Sequence, residues 1–381
     1  QILSNDKSKY KNPDLSYEKI PASLAWQLNL PLPKKYKLIL ATLSYSAHTS
    51  MVSYLLKCKL AISMHHSIDS KTNYIFNYEH ILKETPLVIN ITGYMYSNLR
   101  FSQLHKLISL LNNKTTVLWL LRCPMQRLLS ILKFCNRKPN LNYNLNEDTP
   151  LNILENRRIH GVDISKPLDE RIKIATQTNS FAYIKLLGYF KSLGFKNWDF
   201  LDLSGIKDQQ KILELFVKLS KTYSFETPKN KDDFSYEFIA LHNGIIPLNF
   251  TVKGYKFKLH NQLLNELEIS EALELKKTKL TSRIFIYAPD KNWQELDQSY
   301  LRKKIQALYD KLNEVLEDEA SKAVSKEELM NLLRADTQTR RLLKEVFDKE
   351  VGFVKECAPE MVASWDYYNE FERICKELDG A

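Results

Sequence analysis

Short apolar runs alternate with longer stretches of helical periodicity through the first 225 residues. The runs 36–43 (YKLILATL), 60–64 (LAISM), 87–91 (LVINI), 117–121 (VLWLL) and 198–203 (WDFLDL) read as strands. Short, almost uncharged runs of this kind suit strands covered on both faces. Between and after them, apolar spacing predicts helices beginning at 51–58 and spanning 101–111, 171–193 and 209–223. Such alternation predicts an α/β fold with a parallel, doubly wound sheet. The stretch 136–149, rich in Asn and Pro, reads as a mobile loop.

After Phe225 the pattern changes. FTVKGYKFKLH (250–260) and SRIFIYA (282–288) alternate with period two, as antiparallel strands or a β insertion do. From Asn292 onward the chain is charged and helical, with no glycine before Gly352. Four segments follow: a polar, proline-bearing arm (1–35), an α/β domain (36–225), a β-rich insertion or extension (226–295) and a helical region (296–381). No repeat period is evident.

Composition narrows the partners. Among 381 residues, 44% are hydrophobic and 26% charged, as in a globular chain able to bury a full core. The net charge of +10 favours anionic partners such as nucleotides, anionic polysaccharide or a membrane surface. Lysine is spread without a tight basic cluster, so no nucleic-acid partner is expected. The abundance of Lys, Asn, Ile and Leu resembles a low-GC bacterial genome. The five cysteines (58, 123, 135, 357 and 375) lack CxxC spacing and read as thiols of a reducing compartment, not a disulfide frame or metal site. No signal peptide or 18-residue apolar run is recognised. A cytoplasmic protein is expected, with peripheral association at the inner membrane left open.

The densest chemistry lies in TTVLWLLRCPMQRLLSILKF (115–134). A strand ends in Arg122, and Pro124 opens a helix carrying Arg127 and Ser130. Pro suits the first helical turn, where its missing N–H would have no partner. A cation at the carboxyl end of a sheet strand, beside a helix N-terminus, lies where open α/β sheets hold anions. Arg122 and Ser130, eight residues apart, can reach one phosphate from neighbouring elements; Arg127 faces either that phosphate or solvent. The ordinary alternative is a strand-to-helix crossover with an exposed arginine. A second loop, 44–50, follows the first strand. Its Ser46, Ala47, His48, Thr49 and Ser50 offer hydroxyls, an imidazole and backbone N–H groups to a phosphate. It lacks the GxxxxGK[ST] spacing of an NTPase loop.

Together these motifs resemble the sulfotransferase-like superfamily of 3′-phosphonucleotide-dependent transferases. VLWLLRCPMQRLLS matches the family's RxPxxRxxS-like motif, which implies Arg122 and Ser130 as ligands of the donor's 3′-phosphate. YSAHTSM matches its PKSGTTW-like loop in outline: Thr49 and Ser50 fall on the two hydroxyl positions, Ser46 on the lysine and His48 on the glycine. Residues 179–223 are similar to the family's closing helix–strand–helix unit, with Ser180 and Tyr183 at the nucleotide's border. The resemblance spans 37–225 and implies a P-loop-like parallel sheet flanked by helices.

It further implies transfer of a small anionic group from a 3′-phosphonucleotide to an acceptor hydroxyl, with no metal. The missing first-loop lysine leaves His48 as a candidate acid or base. His65 and His66, after the second strand, are the other candidates, with Asp69 and Glu79 as fallback carboxylates. The chain also resembles a divergent Campylobacter/Helicobacter family, some relatives of which are associated with capsular polysaccharide. There the donor is either 3′-phosphoadenylyl sulfate or of the 3′-phosphocytidine diphosphoramidate type used for O-methyl phosphoramidate. The combination of Arg122 and Ser130 without the lysine slightly favours phosphoramidyl over sulfuryl transfer. A non-catalytic glycan- or protein-binding module on a degenerate transferase fold is the competing class. In that class the aromatic WDYYNEF (365–371) would stack on a sugar or dock a partner, unless it is core.

Overall fold

The computed structural model describes residues 16–62, 69–92, 101–134, 144–154, 166–177, 181, 183–203, 208–230, 234, 245–261, 266–288, 291–321 and 323–380. Its first elements are α1 (Ala22–Gln27), β1 (Tyr36–Thr42), α2 (His48–Lys57), β2 (Ala61–Ile62), α3 (Ser70–Leu82), β3 (Leu87–Thr92) and α4 (Phe101–Ser109). They continue as β4 (Val117–Leu121), α5 (Pro124–Phe134), β5 (Asn144–Asn146), α6 (Leu168–Thr176), α7 (Tyr183–Ser192), β6 (Trp198–Asp202) and α8 (Gln209–Tyr223). Next come β7 (Leu248–Val252), β8 (Tyr255–His260), β9 (Leu267–Glu268), β10 (Phe285–Ala288) and α9 (Gln298–Ser321). The last are α10 (Lys326–Ala335), α11 (Thr337–Cys357), α12 (Pro359–Ala363) and α13 (Asp366–Asp379).

The chain divides into two compact units. The first draws its described residues from Gln1–Arg127, Thr176–Phe238 and Leu333–Ala381, the second from Leu128–Ala175 and Ile239–Leu332.

The first unit holds an all-parallel sheet of order β2-β3-β1-β4-β6. β3 and β4 are buried along their whole length, as is β1 apart from Lys37, which explains their uncharged runs. Side chains alternate across the sheet. Leu118 and Leu120 of β4 join Leu38, Leu40 and Val88 in a core shared with α2 and α8. Trp119, on the opposite face, packs against Tyr183 and Phe190 of α7. β1 lies between β3 and β4. Its connection through α2 leads to β2 on one side, while β4 leads toward β6 on the other. The carboxyl ends of β1 and β4 therefore flank a topological switch point.

The second unit has a sheet of order β5-β7-β8-β10-β9, parallel only between β5 and β7. Lys253 (φ 45°) and Gly254 (φ 84°) form the two-residue turn between β7 and β8. Two successive left-handed residues match the twist of the strands, and glycine adopts that conformation without a Cβ penalty. Phe250, Phe257 and Ile286 pack with Leu301, Ile305 and Leu312 of α9.

Several expectations change. The helix expected over 171–193 is two helices: α6 starts earlier, at Leu168, and ends at Thr176, and α7 begins at Tyr183. The loop expected over 136–149 contains β5, a three-residue strand with only Leu145 buried, too short to show as a period. α2 starts at His48, three residues before the expected Met51, so His48, Thr49 and Ser50 form its first turn.

Candidate functional site

The chain leaves β1 at Thr42 and enters α2 at His48. In between, Tyr45 (φ 65°) and Ala47 (φ 59°) are left-handed, a costly conformation for residues with a side chain. Ala47 is the N-cap, and the first i→i−4 bond of α2 runs from Met51 N to Ala47 O at 3.1 Å. The N–H groups of His48, Thr49 and Ser50 precede that bond, so the helix itself supplies them no acceptor. Thr49 and Ser50 are half-buried, and Ser46, within the loop, is fully buried.

Arg122 follows β4 directly, on the strand beside β1. Its Nη1 donates to the Tyr45 carbonyl at 2.9 Å, tying the strand end to the neighbouring loop. Burial lowers the Arg122 guanidinium from its ordinary pKa, and Asp202 acts against that lowering. A guanidinium remains a cation under such a shift. Asp202 closes β6 in register with Leu121, and its Oδ2 accepts from Trp365 Nε1 at 2.8 Å. The expected loop–Arg122 juxtaposition is therefore present, with a carboxylate beside it that the sequence reading missed. Its signal was available: Asp202 is a charge near the end of the run WDFLDL, as Arg122 is the charge that follows VLWLL.

His48 is buried, and its Nε2 donates to Asn90 Oδ1 at 3.1 Å. Asn73 Nδ2 donates to the Asn90 carbonyl at 2.9 Å, and Asn77 Nδ2 to the Asn73 carbonyl at 2.8 Å. This buried amide chain fixes the imidazole against β3. Asn90 was also missed, although an asparagine inside the apolar run LVINI is itself a signal, because a buried polar group needs partners.

Arg127 does not point to the loop. Its side chain is 1% exposed and its Nη2 lies 3.2 Å from Glu350 Oε2 of α11. The guanidinium also stacks over the rings of Phe181 and Tyr183, at 4.8 and 4.9 Å. Glu350 Oε1 accepts from Tyr183 N at 2.9 Å, so one buried carboxylate serves both a cation and the start of α7. The helical phase, which left Arg127 facing either a phosphate or solvent, could not register an acidic partner 223 residues away. Tyr183 is buried, and its hydroxyl donates to the Leu120 carbonyl. Burial raises its phenol pKa, opposed by Arg127 and the neighbouring Ser46 hydroxyl.

Ser130 is half-buried on α5, in the portion of that helix grouped with the second unit. His65, His66 and Ser180 lie outside the described residues. Asp69 is the N-cap of α3, with Oδ1 accepting from Thr72 N at 2.9 Å and Oδ2 from Thr72 Oγ1 at 3.1 Å. Asp69→Ala is expected to cost about 1 kcal/mol, read by denaturant unfolding, as loss of a helix cap does. Glu79 is exposed on α3. Trp365, Tyr368 and Phe371 of the WDYYNEF stretch are core residues, the latter two packed on Phe347, and offer no exposed aromatic stack.

Among the described residues no group of three or more His, Cys, Asp or Glu side chains is gathered as a metal site, and no helix is long and apolar enough to cross a membrane. Cys58, Cys123 and Cys375 are buried free thiols, Cys357 is an exposed one, and Cys135 lies outside the described residues. Burial pushes the Cys58 thiol up to about 12, which keeps it protonated and unreactive at neutral pH.

Residues 200–378 match a family model described as "Protein of unknown function (DUF2972)". The match runs from β6 into α13 and leaves out the β1–α2 loop, Arg122 and α5. No curated protein and no solved structure matches the chain.

Proposed function

We propose that this protein is a sulfotransferase-like transferase that binds a 3′-phosphorylated nucleotide donor and passes a small anionic group to a hydroxyl. The observation that carries the reading is the Arg122–Tyr45 contact. It puts a partly buried cation against a loop that opens into a helix N-terminus, at the switch point of a parallel sheet. Helix N-termini and arginine forks both favour phosphate oxygens.

The residues divide the work. The N–H groups of His48–Ser50 and the Arg122 guanidinium hold donor phosphates and offset charge on the leaving phosphate. His48, oriented by Asn90, moves the proton between acceptor and leaving group. Ser46 stands where the family has lysine and is buried, so the group transferred need not be sulfuryl; phosphoramidyl is slightly favoured. The acceptor class, a bacterial surface polysaccharide such as capsule, rests on the family resemblance, as do Ser130's role and a cytoplasmic location.

Thermal unfolding titrated with adenosine and cytidine 3′,5′-bisphosphates tests the reading. At a hundred times its dissociation constant a ligand stabilises by about 2.7 kcal/mol, a readily measured shift. Arg122→Ala is expected to abolish that shift. Cytidine preference marks a phosphoramidate donor and adenosine preference a sulfate donor. The absence of a shift with either nucleotide overturns the proposal.

A further inference from the structure

Two hydroxyls are buried under the start of α2. Thr42 ends β1 and Thr92 ends β3, and the two are register partners in the parallel pair. Strand alternation puts Thr42 on the face of Leu38 and Leu40, and Thr92 on the face of Val88 and Asn90. That is the face on which α2 packs, and where His48 meets Asn90. Thr42 is 0% exposed and Thr92 2%. Neither Oγ1 has a hydrogen-bond partner among the described residues. A buried hydroxyl without a partner costs about 1–3 kcal/mol, and two side by side at a helix N-terminus form a donor pair where anions are favoured.

We propose that Thr42 and Thr92 are anion ligands, whose hydroxyls bind the innermost oxygen of a tetrahedral oxyanion of the phosphate class seated at the β1–α2 loop. The inference rests on reading that loop as the donor's phosphate site and adds the two residues that grip its inner oxygen. The anion gains entry by exchange at Arg122. The guanidinium now holds the neutral Tyr45 carbonyl, and an anionic oxygen, which its fork can also grip bidentately, is the stronger acceptor for the same cation. Released from Arg122, the loop with its two left-handed residues lifts, and the hydroxyls beneath it face the anion. Asn90 keeps the His48 ring beside them throughout.

Thr→Val separates a ligand from a structural hydroxyl, because valine keeps the shape, suits a strand and removes the unpartnered O–H. Inorganic pyrophosphate is the probe, with binding measured by calorimetry and stability by thermal unfolding without ligand. Thr42→Val and Thr92→Val are each expected to weaken pyrophosphate binding about tenfold, the value of one hydrogen bond to a charged group, while the ligand-free protein melts at the same or a higher temperature. Thr42→Ser, which restores the hydroxyl, is expected to bind as the wild type does. Unchanged affinity in both valine variants overturns the assignment, as does weaker binding accompanied by lower ligand-free stability. The two readings fail differently. If nucleoside bisphosphates bind wild type and valine variants alike, the threonines are not ligands and the nucleotide reading stands. If pyrophosphate binds through the hydroxyls but no nucleoside bisphosphate binds, the oxyanion site stands and the nucleotide reading falls.

Discussion

Replacing Glu350 with alanine is expected to destabilise the first unit by about 3–5 kcal/mol, because it strands a buried cation. Arg127 is enclosed by Phe181, Tyr183 and α11, and Glu350 is its carboxylate partner at 3.2 Å. The same substitution removes the acceptor for Tyr183 N at the start of α7. Hydrogen exchange at β1 and β4 amides reads the loss in this unit alone. Glu350→Gln keeps an acceptor for Tyr183 N and loses only the charge, so it is expected to cost less than alanine. Equal costs would mean that the hydrogen bond to α7 contributes nothing.

The pair also sets a pH dependence. Burial pushes the Glu350 carboxyl above its ordinary value, and Arg127 pulls it back down. A carboxyl raised on folding contributes its stability fully below the unfolded value of about 4.3, and loses it as pH rises through the folded value. Arg127→Leu removes the opposing cation and drives the folded value higher still. The stability gap between wild type and Arg127→Leu should therefore widen as pH rises above the unfolded value of about 4.3. A gap independent of pH would show that no buried carboxylate depends on Arg127.

Trp119→Ala is expected to cost about 3–5 kcal/mol through the cavity it leaves in the middle of β4. The ring is 2% exposed and sits 5.8 Å from Tyr183, 5.8 Å from Phe190 and 6.2 Å from Trp198, centroid to centroid. Its Nε1 has no hydrogen-bond partner among the described residues. Trp119→Phe therefore keeps most of the aromatic packing and discards an N–H that gains nothing, so its cost should fall well below that of alanine. Urea unfolding followed by far-ultraviolet circular dichroism compares the two. A phenylalanine variant as unstable as the alanine variant would mean that the indole N–H, not ring volume, holds the strand. β4 also carries Arg122 at its end, so the phenylalanine variant should retain the nucleotide-induced shift.

The strands β1, β3 and β4 were legible because each is covered on both faces, which leaves a run of apolar residues with at most one charge. Arg122 was legible for the same reason, as the charge that ends such a run. Short elements were not: β5 buries one residue, and α6 and α7 read as one helical stretch. At the site, the serine- and threonine-rich loop was visible, but its left-handed residues and the helix start at His48 were not, since no glycine marks the turn.

By itself the sequence determined the alternation of strands and helices, the α/β class, and the positions of the hydroxyl-rich loop and of Arg122 at strand ends. Only the tertiary structure decided the strand order β2-β3-β1-β4-β6, and with it that the loop and Arg122 are neighbours. It also decided that Arg127 is a core cation held by Glu350, and that His48 leans on Asn90. The physical reason is range. Periodicity reports whether a position is covered, through local repeats of 2 or 3.6 residues. Which charge pairs with which depends on partners that meet only when distant segments pack, and burial then makes that pairing obligatory.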